Sequence, residues 1–164
     1  MIPLKLQIKN FLSYGPELQT IDFSPYPLIC LSGKNGHGKS ALLDAITWAI
    51  WGHARKISST SKADQGLLHL GQSSMMVSLD FECNQTTYRI KREFSFINGK
   101  AHAALEFGLV QPETDYCVPL TDKTIRGTQH VIEKTIHLDY DSFINSAFLR
   151  QGQSNEFSKK SPKE

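Results

Sequence analysis

The amino-acid sequence predicts an α/β fold with a mixed β-sheet, and three features of the chain support this prediction. A Gly-rich loop at residues 33–38 lies between a short apolar run and a segment whose apolar residues recur at helical spacing. Residues 75–110 contain three stretches in which apolar and polar side chains alternate, and the period becomes helical after residue 121. The first feature is typical of a strand, a loop and a helix in an α/β protein, and the second indicates an antiparallel meander.

Length and composition fit one folded domain. The chain has 164 residues, of which 40% are hydrophobic and 21% are charged, and its mean hydropathy is −0.31. These values exclude a disordered chain, a collagen-like chain and a coiled coil over most of the length. Lys and Arg number 18 and Asp and Glu number 16, so the net charge of +2 does not by itself indicate a nucleic-acid-binding protein. A local basic face is compatible with that balance.

Cysteine usage and the N-terminus predict a cytoplasmic protein. Cys30, Cys83 and Cys117 are odd in number and widely spaced, which fits neither a zinc site nor a disulfide framework. The N-terminal residues alternate charged and apolar side chains, unlike a signal peptide. No apolar stretch reaches the length of a membrane-spanning helix. We therefore expect a protein of the reducing cytosol with no membrane partner.

The first third of the chain predicts a hairpin, a buried strand and a helix. Residues 3–9 and 18–23 alternate apolar and polar side chains on either side of a turn at residues 14–16, which predicts a β-hairpin. The continuous apolar run at residues 28–31 predicts a strand buried on both faces. Residues 40–52 have helical spacing and end in a glycine, the residue favoured just after a helix C-terminus.

The alternating stretches in the middle of the chain predict three strands, at residues 75–81, 87–96 and 103–110. Turn residues separate them, namely Asn84-Gln85 and Asn98-Gly99. We therefore expect an antiparallel meander.

The segments around the meander are less regular. After the period changes at residue 121, residues 125–138 have the spacing of one amphipathic helix, which Gly127 weakens and which residues 121–124 cap. Residues 55–65 are polar and basic and predict an exposed loop, and residues 66–71 predict a short helix or a turn. Residues 139–149 are rich in apolar side chains and predict a packed segment.

The Gly-rich loop carries the main functional signal. Residues Gly33 to Ser40 match the pattern G-x-x-x-x-G-K-[ST] in full, after a predicted strand and at the start of a predicted helix. In such a P-loop the backbone N–H groups and the helix N-terminus point at the phosphates of a nucleotide, and glycines permit the close approach. Lys39 would bridge the β- and γ-phosphates, and the Ser40 hydroxyl would ligate Mg²⁺. The sequence therefore predicts binding of ATP with Mg²⁺.

A second acidic residue on Mg²⁺, which ATP hydrolysis requires, is not evident in the sequence. Asp80 is the nearest candidate, but Ser78 interrupts the apolar run and the alternation predicts a half-exposed strand, so Asp80 is interpreted as a sheet residue. The chain has no N-K-x-D segment for reading guanine and no L-S-G-G-Q-type signature. We therefore do not expect a complete ATP-hydrolysing unit in these residues.

Four segments of the chain together identify a family. They are the opening IKNFLSYG with the following IDF, the P-loop segment LSGKNGHGKSALLDAI, the strand segment VSLDFECNQTTYRIKREF and the late segment LDYDSFINSAFLRQGQSNEF. Their combination, which covers nearly the whole chain, resembles the SMC-like ATPases of DNA double-strand-break repair, the SbcC-type large subunits that work with an SbcD-type nuclease. A P-loop alone is far less specific than its combination with the late segment.

The resemblance implies the N-terminal lobe of an ABC-type ATPase head, in which the P-loop NTPase fold is split in two. Residues 1–150 would form the lobe, and residues 151–164 would hold the glutamine loop and the approach to a coiled coil. The implied partners are the protein's own C-terminal ATPase lobe, a second head in a homodimer, the SbcD-type nuclease subunit and double-stranded DNA. ATP held between two heads would control the access of DNA to the nuclease. This chain alone would bind ATP but hydrolyse little or none, and the protein would be associated with the nucleoid.

The family's functional residues carry over by position. Gln151 matches the loop glutamine that senses Mg²⁺ and the attacking water, so Gln151 and Lys39 are the catalytic candidates and Ser40 and Gln151 the metal candidates. Leu12 departs from the pattern, because many relatives have an arginine here, and leucine cannot donate to a phosphate. His37 would lie near the γ-phosphate or be a plain loop residue. The nucleotide-binding candidates are Ser13, Gly33, Asn35, Gly36, His37, Gly38, Lys39, Ser40 and Ala41.

Basic residues outside the P-loop are candidate DNA contacts, because cations that neutralise phosphates bind a duplex without reading its sequence. The alternation places Arg89 and Lys91 on the same face of a strand. A solvated sheet face or an exposed loop is the alternative interpretation of these residues. The candidates are Arg89, Lys91, Arg92 and Lys100, with Arg55 and Lys56 in the loop after the first helix.

Two other functions are compatible with the sequence. One is an SMC-type ATPase that organises chromosomes without a nuclease. The other is a self-contained small P-loop kinase or NTPase, against which the missing second acidic segment and the central meander argue.

Overall fold

The structure is a computed structural model that describes residues 1–34, 36–54 and 64–146. Within these ranges six strands form one sheet, and a 3-10 turn at Gln65–Leu67 lies between the first helix and the third strand. The strands are β1 (Ile2–Lys9), β2 (Gln19–Asp22), β3 (Ser74–Cys83), β4 (Thr86–Ile97), β5 (Lys100–Val110) and β6 (Cys117–Pro119), and the helices are α1 (Lys39–Trp51), α2 (Ile125–Ile136) and α3 (Tyr140–Ser146).

The sheet has the strand order β2-β1-β3-β4-β5-β6, and every neighbouring pair is antiparallel. This confirms the predicted opening hairpin and the predicted meander. Two-residue turns join β3 to β4 and β4 to β5, and both residues of each turn have positive φ, at Asn84-Gln85 and Asn98-Gly99. Such turns match the right-handed twist of the flanking strands, which is why asparagine and glycine favour them. The strand β6 was not predicted, because three residues are too few to show a period.

Helix α1 begins one residue before the predicted start and ends as predicted, with Gly52 in the left-handed conformation. Helix α2 is shorter than the predicted segment. It starts after Thr124, whose hydroxyl accepts a hydrogen bond of 2.9 Å from the N–H of Gly127, and it ends at the left-handed residue His137. The predicted cap before this helix is therefore confirmed.

The core lies between one face of the sheet and the helices α1 and α2. Alternate residues of β1, β3, β4 and β5 face it, and Trp48 of α1 packs against Phe11 with ring centroids 5.5 Å apart. Helix α2 contributes Ile132 and Ile136 to the same cluster. Among the described helices, none is long and apolar enough to cross a membrane.

The predicted buried strand at residues 28–31 is wrong for this structure. These residues form no strand, and the side chain of Leu28 is 88% exposed. Every strand pairing in the described ranges is antiparallel, so the parallel part of the predicted mixed sheet is not found there. An apolar strand is buried only when neighbouring strands flank it, and the six strands of the sheet do not pair with this run.

Candidate nucleotide-binding site

The P-loop backbone has the conformation that close approach to an anion requires. Gly36 and Gly38 have φ angles of 85° and 86°, a region that side chains other than glycine rarely adopt. Gly38 is the N-cap of α1, and no side chain caps this end of the helix. The first turn also contains no acidic residue. The N-terminus of α1 therefore presents N–H groups and the positive end of its dipole to a negatively charged ligand.

Lys39 closes the loop from the helix side. Its Nζ donates hydrogen bonds to the carbonyl oxygens of Gly33, at 2.5 Å, and of Lys34, at 2.9 Å. The ammonium group thus lies across the mouth of the loop, where it adds a full charge to the partial charge of the helix end. This position is compatible with the predicted role on the β- and γ-phosphates.

The turn of the first hairpin packs against the P-loop. The Tyr14 hydroxyl donates a hydrogen bond of 3.3 Å to the Gly38 carbonyl, and partial burial raises the pKa of this phenol. The Oγ of Ser13 lies 2.9 Å from the position that a Cβ on Gly38 would take. Ser13, a predicted nucleotide contact, is therefore beside the loop.

Leu12 is held in place mainly by its backbone. The residue has a φ of 50°, its N–H donates to the Leu67 carbonyl at 2.8 Å, and its side chain packs against the core. Its carbonyl oxygen lies 2.7 Å from Nδ1 of His69, so this nitrogen carries the proton. Both contacts use the backbone of Leu12 and do not depend on its side chain.

The remaining P-loop candidates are distributed around the same helix end. His37 and Ser40 are exposed, and Ala41 is buried under the first turn of α1. Asn35 and Gln151 lie outside the described residues, so the structure does not test them. Within the described ranges no group of three His, Cys, Asp or Glu side chains is arranged to hold a metal ion. Ser40 is therefore the described metal candidate, and it would need the phosphates of the nucleotide as further ligands.

Asp80 is buried, so the predicted half-exposed position is wrong, but its contacts are those of a sheet residue. It accepts two hydrogen bonds from Arg89, at 2.6 and 2.8 Å, and Lys5 lies 3.4 Å away. Arg89 also donates to Asp115 at 2.7 Å, and these carboxylates raise the pKa of the guanidinium. The charge of Arg89 is thus largely neutralised within the fold, which reduces its value as a DNA contact.

The prediction that Arg92 contacts DNA is wrong, because the residue is buried. Its side chain belongs to the core, where the residue is 9% exposed, and its guanidinium lies 5.9 Å from the ring centroid of Trp48. Burial lowers its pKa to about 10. The reason lies in the alternation of β4, which places Arg92 on the same face as Ile90 and Phe94 and away from solvent.

The other basic candidates differ in availability. Lys91 forms an ion pair of 2.8 Å with Glu93, which raises its pKa, whereas Lys100 is exposed at the turn between β4 and β5. Arg55 and Lys56 lie outside the described residues. Lys91 and Lys100 therefore stay the described candidates with side chains that reach solvent.

Sequence reasoning missed the contact of Tyr14 with the P-loop and the inward position of Arg92. The first had no local signal, because Tyr14 and Gly38 are distant in the sequence. The second had one, since the alternation that placed Phe94 in the core applies equally to a residue two positions earlier.

The chain is similar to known proteins along most of its length. The AAA domain family matches residues 5–164. The chain is 31% identical over 155 residues to the SbcC subunit of the SbcCD nuclease of Deinococcus radiodurans, covering 93% of this chain and 16% of that protein. It is 30% identical over 165 residues to a probable DNA double-strand break repair Rad50 ATPase of Aquifex aeolicus, covering 98% and 15%. The chain thus spans about a sixth of the length of these curated relatives.

Two solved structures support the fold. One, from work on the structural biochemistry of ATP-driven dimerization and DNA-stimulated activation of SMC ATPases, has a TM-score of 0.68 at 22% identity and covers 99% of this chain and 93% of that one. The other is an SmcHead bound to the C-winged helix domain of ScpA, with a TM-score of 0.57 at 20% identity, covering 85% and 42%. At these identities the likeness concerns the fold, which is the α/β fold of an SMC-type ATPase head.

Proposed function

The chain belongs to the AAA domain family, and we propose that it is the nucleotide-binding N-terminal lobe of an SbcC-type ATPase in DNA double-strand-break repair. The observation that carries this proposal is the P-loop geometry. An uncapped helix N-terminus at Gly38 and the ammonium group of Lys39 converge on one loop mouth. That arrangement suits the phosphates of a nucleotide, and the similarity to a probable Rad50 ATPase supports ATP as this nucleotide.

Within the proposed site each residue has a defined task. The loop N–H groups and Lys39 bind the phosphates, and the Ser40 hydroxyl holds Mg²⁺, which would supply charge neutralisation on the phosphate oxygens. Gln151 orients the attacking water. Gly33, Asn35, Gly36 and His37 complete the loop, and Ser13 and Ala41 flank it.

The lobe is proposed to work as one part of a larger head. The run at residues 28–31 exposes apolar side chains directly before the P-loop, and Leu28, Ile29 and Leu31 are each more than one third exposed. A strand from the protein's own C-terminal lobe would bury them. The proposal further includes dimerisation of two heads around ATP, an SbcD-type nuclease partner and a cytoplasmic, nucleoid-associated location, all by similarity to the SbcC relatives.

Double-stranded DNA is the proposed substrate of the complex. On this lobe Lys91 and Lys100 offer cations that reach solvent, and Arg55 and Lys56 add basic charge to the sequence after α1. Replacing Lys100 with glutamate should weaken binding of a short duplex and reduce its salt dependence by about one phosphate contact. If Lys100→Glu binds the duplex as the wild type does, Lys100 is not a DNA contact.

The repair function is preferred to chromosome organisation because the curated relatives are nuclease subunits and a repair ATPase. The experiment that tests the proposal measures Mg-ATP turnover by this chain and by the full-length protein, each with a Gln151→Ala variant. We expect binding with little or no turnover by this chain, and turnover by the full-length protein that the variant abolishes. Robust turnover by this chain would favour a self-contained NTPase instead.

A further inference from the structure

The C-terminus of α1 ends on a buried guanidinium group. Arg92 of β4 donates from Nε to the Ala49 carbonyl at 3.2 Å and from Nη2 to the Ile50 carbonyl at 3.5 Å. These carbonyls belong to the last turn of the helix, where the backbone oxygens lack helical partners. A cation at this end also stabilises the helix dipole. Gly52 makes room for the group, since a Cβ there would lie 3.1 Å from Nη1 of Arg92.

Helix α2 joins the same cluster through Gln129. The Gln129 Oε1 accepts a hydrogen bond of 2.7 Å from Nη2 of Arg92, and its Nε2 donates to the Ile50 carbonyl at 3.1 Å. A second bond from Nε2 reaches Glu133 at 3.1 Å, which fixes the amide on its own helix. One side chain of α2 thus contacts both the guanidinium and the helix end that the guanidinium caps.

This arrangement is unfavourable for a purely structural contact. Among the described residues the hydrogen-bond acceptors of the Arg92 guanidinium are two carbonyls and an amide oxygen, all of them uncharged. The Asp64 carboxylate attracts the guanidinium without a hydrogen bond to it, and burial outweighs this attraction, so the pKa of Arg92 is lowered. A buried cation with neutral acceptors costs more to desolvate than an apolar residue of similar size. The Arg92 guanidinium instead provides alignment, because its planar set of several donors fixes the three elements α1, β4 and α2 relative to one another.

The connected elements adjoin, in the sequence, the two halves of the proposed reaction site. The opposite end of α1, about 20 Å away at 1.5 Å per residue, carries Lys39 and Ser40. Helix α2 is followed by α3, whose Phe143 packs on Trp51 at the end of α1 with ring centroids 4.4 Å apart. Gln151 follows α3 in the sequence.

We propose that Arg92 and Gln129 are positioning residues that hold the P-loop helix in register with the α2–α3 segment preceding Gln151. This inference rests on the proposed ATPase function. It assigns them no contact with ATP. Loss of the link should leave phosphate binding at the P-loop nearly intact and should impair the hydrolytic step, which needs the two halves of the site in register.

The test uses the full-length ATPase with Gln129→Leu, which removes the link from α2 and leaves Arg92 bonded to α1. The matched control is His130→Leu, the exposed neighbour on the same helix. For each protein we would measure the dissociation constant for a non-hydrolysable Mg-ATP analogue, kcat for Mg-ATP and the melting temperature. Arg92→Lys serves as a second variant, since it keeps the charge and loses the fork.

We expect kcat to fall at least about fivefold in Gln129→Leu while the dissociation constant stays within about twofold, with His130→Leu unchanged in both. Arg92→Lys should likewise lower kcat and leave the dissociation constant nearly unchanged. An unchanged kcat in Gln129→Leu would overturn the inference, as would equal losses of affinity and kcat, which indicate general damage to the fold. Absence of turnover in the unaltered full-length protein would instead contradict the proposed function, and this inference with it.

Discussion

The hydroxyl of Tyr14 and the carbonyl of Gly38 are joined by a hydrogen bond of 3.3 Å, which places the turn of the first hairpin directly against the P-loop. The same carbonyl accepts the first helical bond, from the N–H of Leu42 at 3.0 Å. The N-terminal hairpin is thereby part of the proposed nucleotide-binding site, although it contributes no residue to the Gly-rich pattern. The tight fit at Gly38 also makes this glycine a sensitive point of the site.

Gly38→Ala should destabilise the protein and weaken Mg-ATP binding. A side chain at a φ of 86° costs about 1–2 kcal/mol, and the new Cβ would lie 2.9 Å from the Ser13 Oγ. The control is Gly71→Ala, which has a φ of 81° and no atom within 4 Å of the new Cβ. Chemical denaturation should show a larger loss in Gly38→Ala than in Gly71→Ala. Equal losses, with unchanged Mg-ATP affinity in both, would refute the role of the packed loop.

Gly108→Ala should destabilise the sheet by about 1–3 kcal/mol, the usual range for overpacking. The new Cβ would lie 2.5 Å from both Sγ of Cys117 and the backbone oxygen of Val118, so β6 would have to move. Gly15→Ala is the control, because its Cβ would meet its nearest neighbour at 3.8 Å. Denaturation curves compare the free energies of unfolding. Adding Cys117→Ala should restore only part of the loss, since the Val118 oxygen stays in place.

Asp115→Asn should lower stability at neutral pH, but less so in acid. Hydrogen bonding to Arg89 lowers the pKa of Asp115 below its usual value of 3.8. The stability that this ion pair provides is therefore present above about pH 3.8 and is lost as the pH falls further, through the pKa of the folded protein. Because Asp115 is exposed, the difference should be below about 1 kcal/mol.

The readout for Asp115→Asn is the free energy of unfolding relative to wild type, measured from pH 7 down to the lowest pH at which the protein folds. Asparagine is the chosen replacement because it also tolerates the φ of 55° at this position, so the substitution does not add backbone strain. Glu113→Gln in the same turn serves as the charge control. A stability difference that does not shrink in acid would show that the charge of Asp115 is not its cause.

Much of the fold follows from local signals in the sequence. The turns Asn84-Gln85 and Asn98-Gly99 fix the register of the meander, and Thr124 fixes the start of α2, because each of these residues acts on its immediate neighbours. The prediction of a buried strand at residues 28–31 is wrong for the opposite reason. Its burial depends on neighbouring strands, and no local pattern states whether they are present.

The candidate site divides in the same way. The conformations of Gly36 and Gly38 and the position of Lys39 follow from a contiguous pattern, so the sequence predicts them well. The charge of Arg92 predicts a position in solvent, whereas its place in the alternation of β4 predicts the core. Charge and period disagreed there, and the acceptors that favour burial come from α1 and α2, which are distant in the sequence.

The P-loop of this chain is proposed to bind a nucleotide through Lys39. The most direct measurement is the dissociation constant for Mg-ATP of the wild-type chain and of Lys39→Ala, with Lys34→Ala, an exposed lysine of the same loop, as the matched control. We expect wild type and Lys34→Ala to bind alike and Lys39→Ala to bind roughly 10- to 100-fold more weakly, the equivalent of about 1.5–3 kcal/mol for a hydrogen bond to a charged group. Equal affinity of all three proteins, or no binding by the wild type, would contradict this claim.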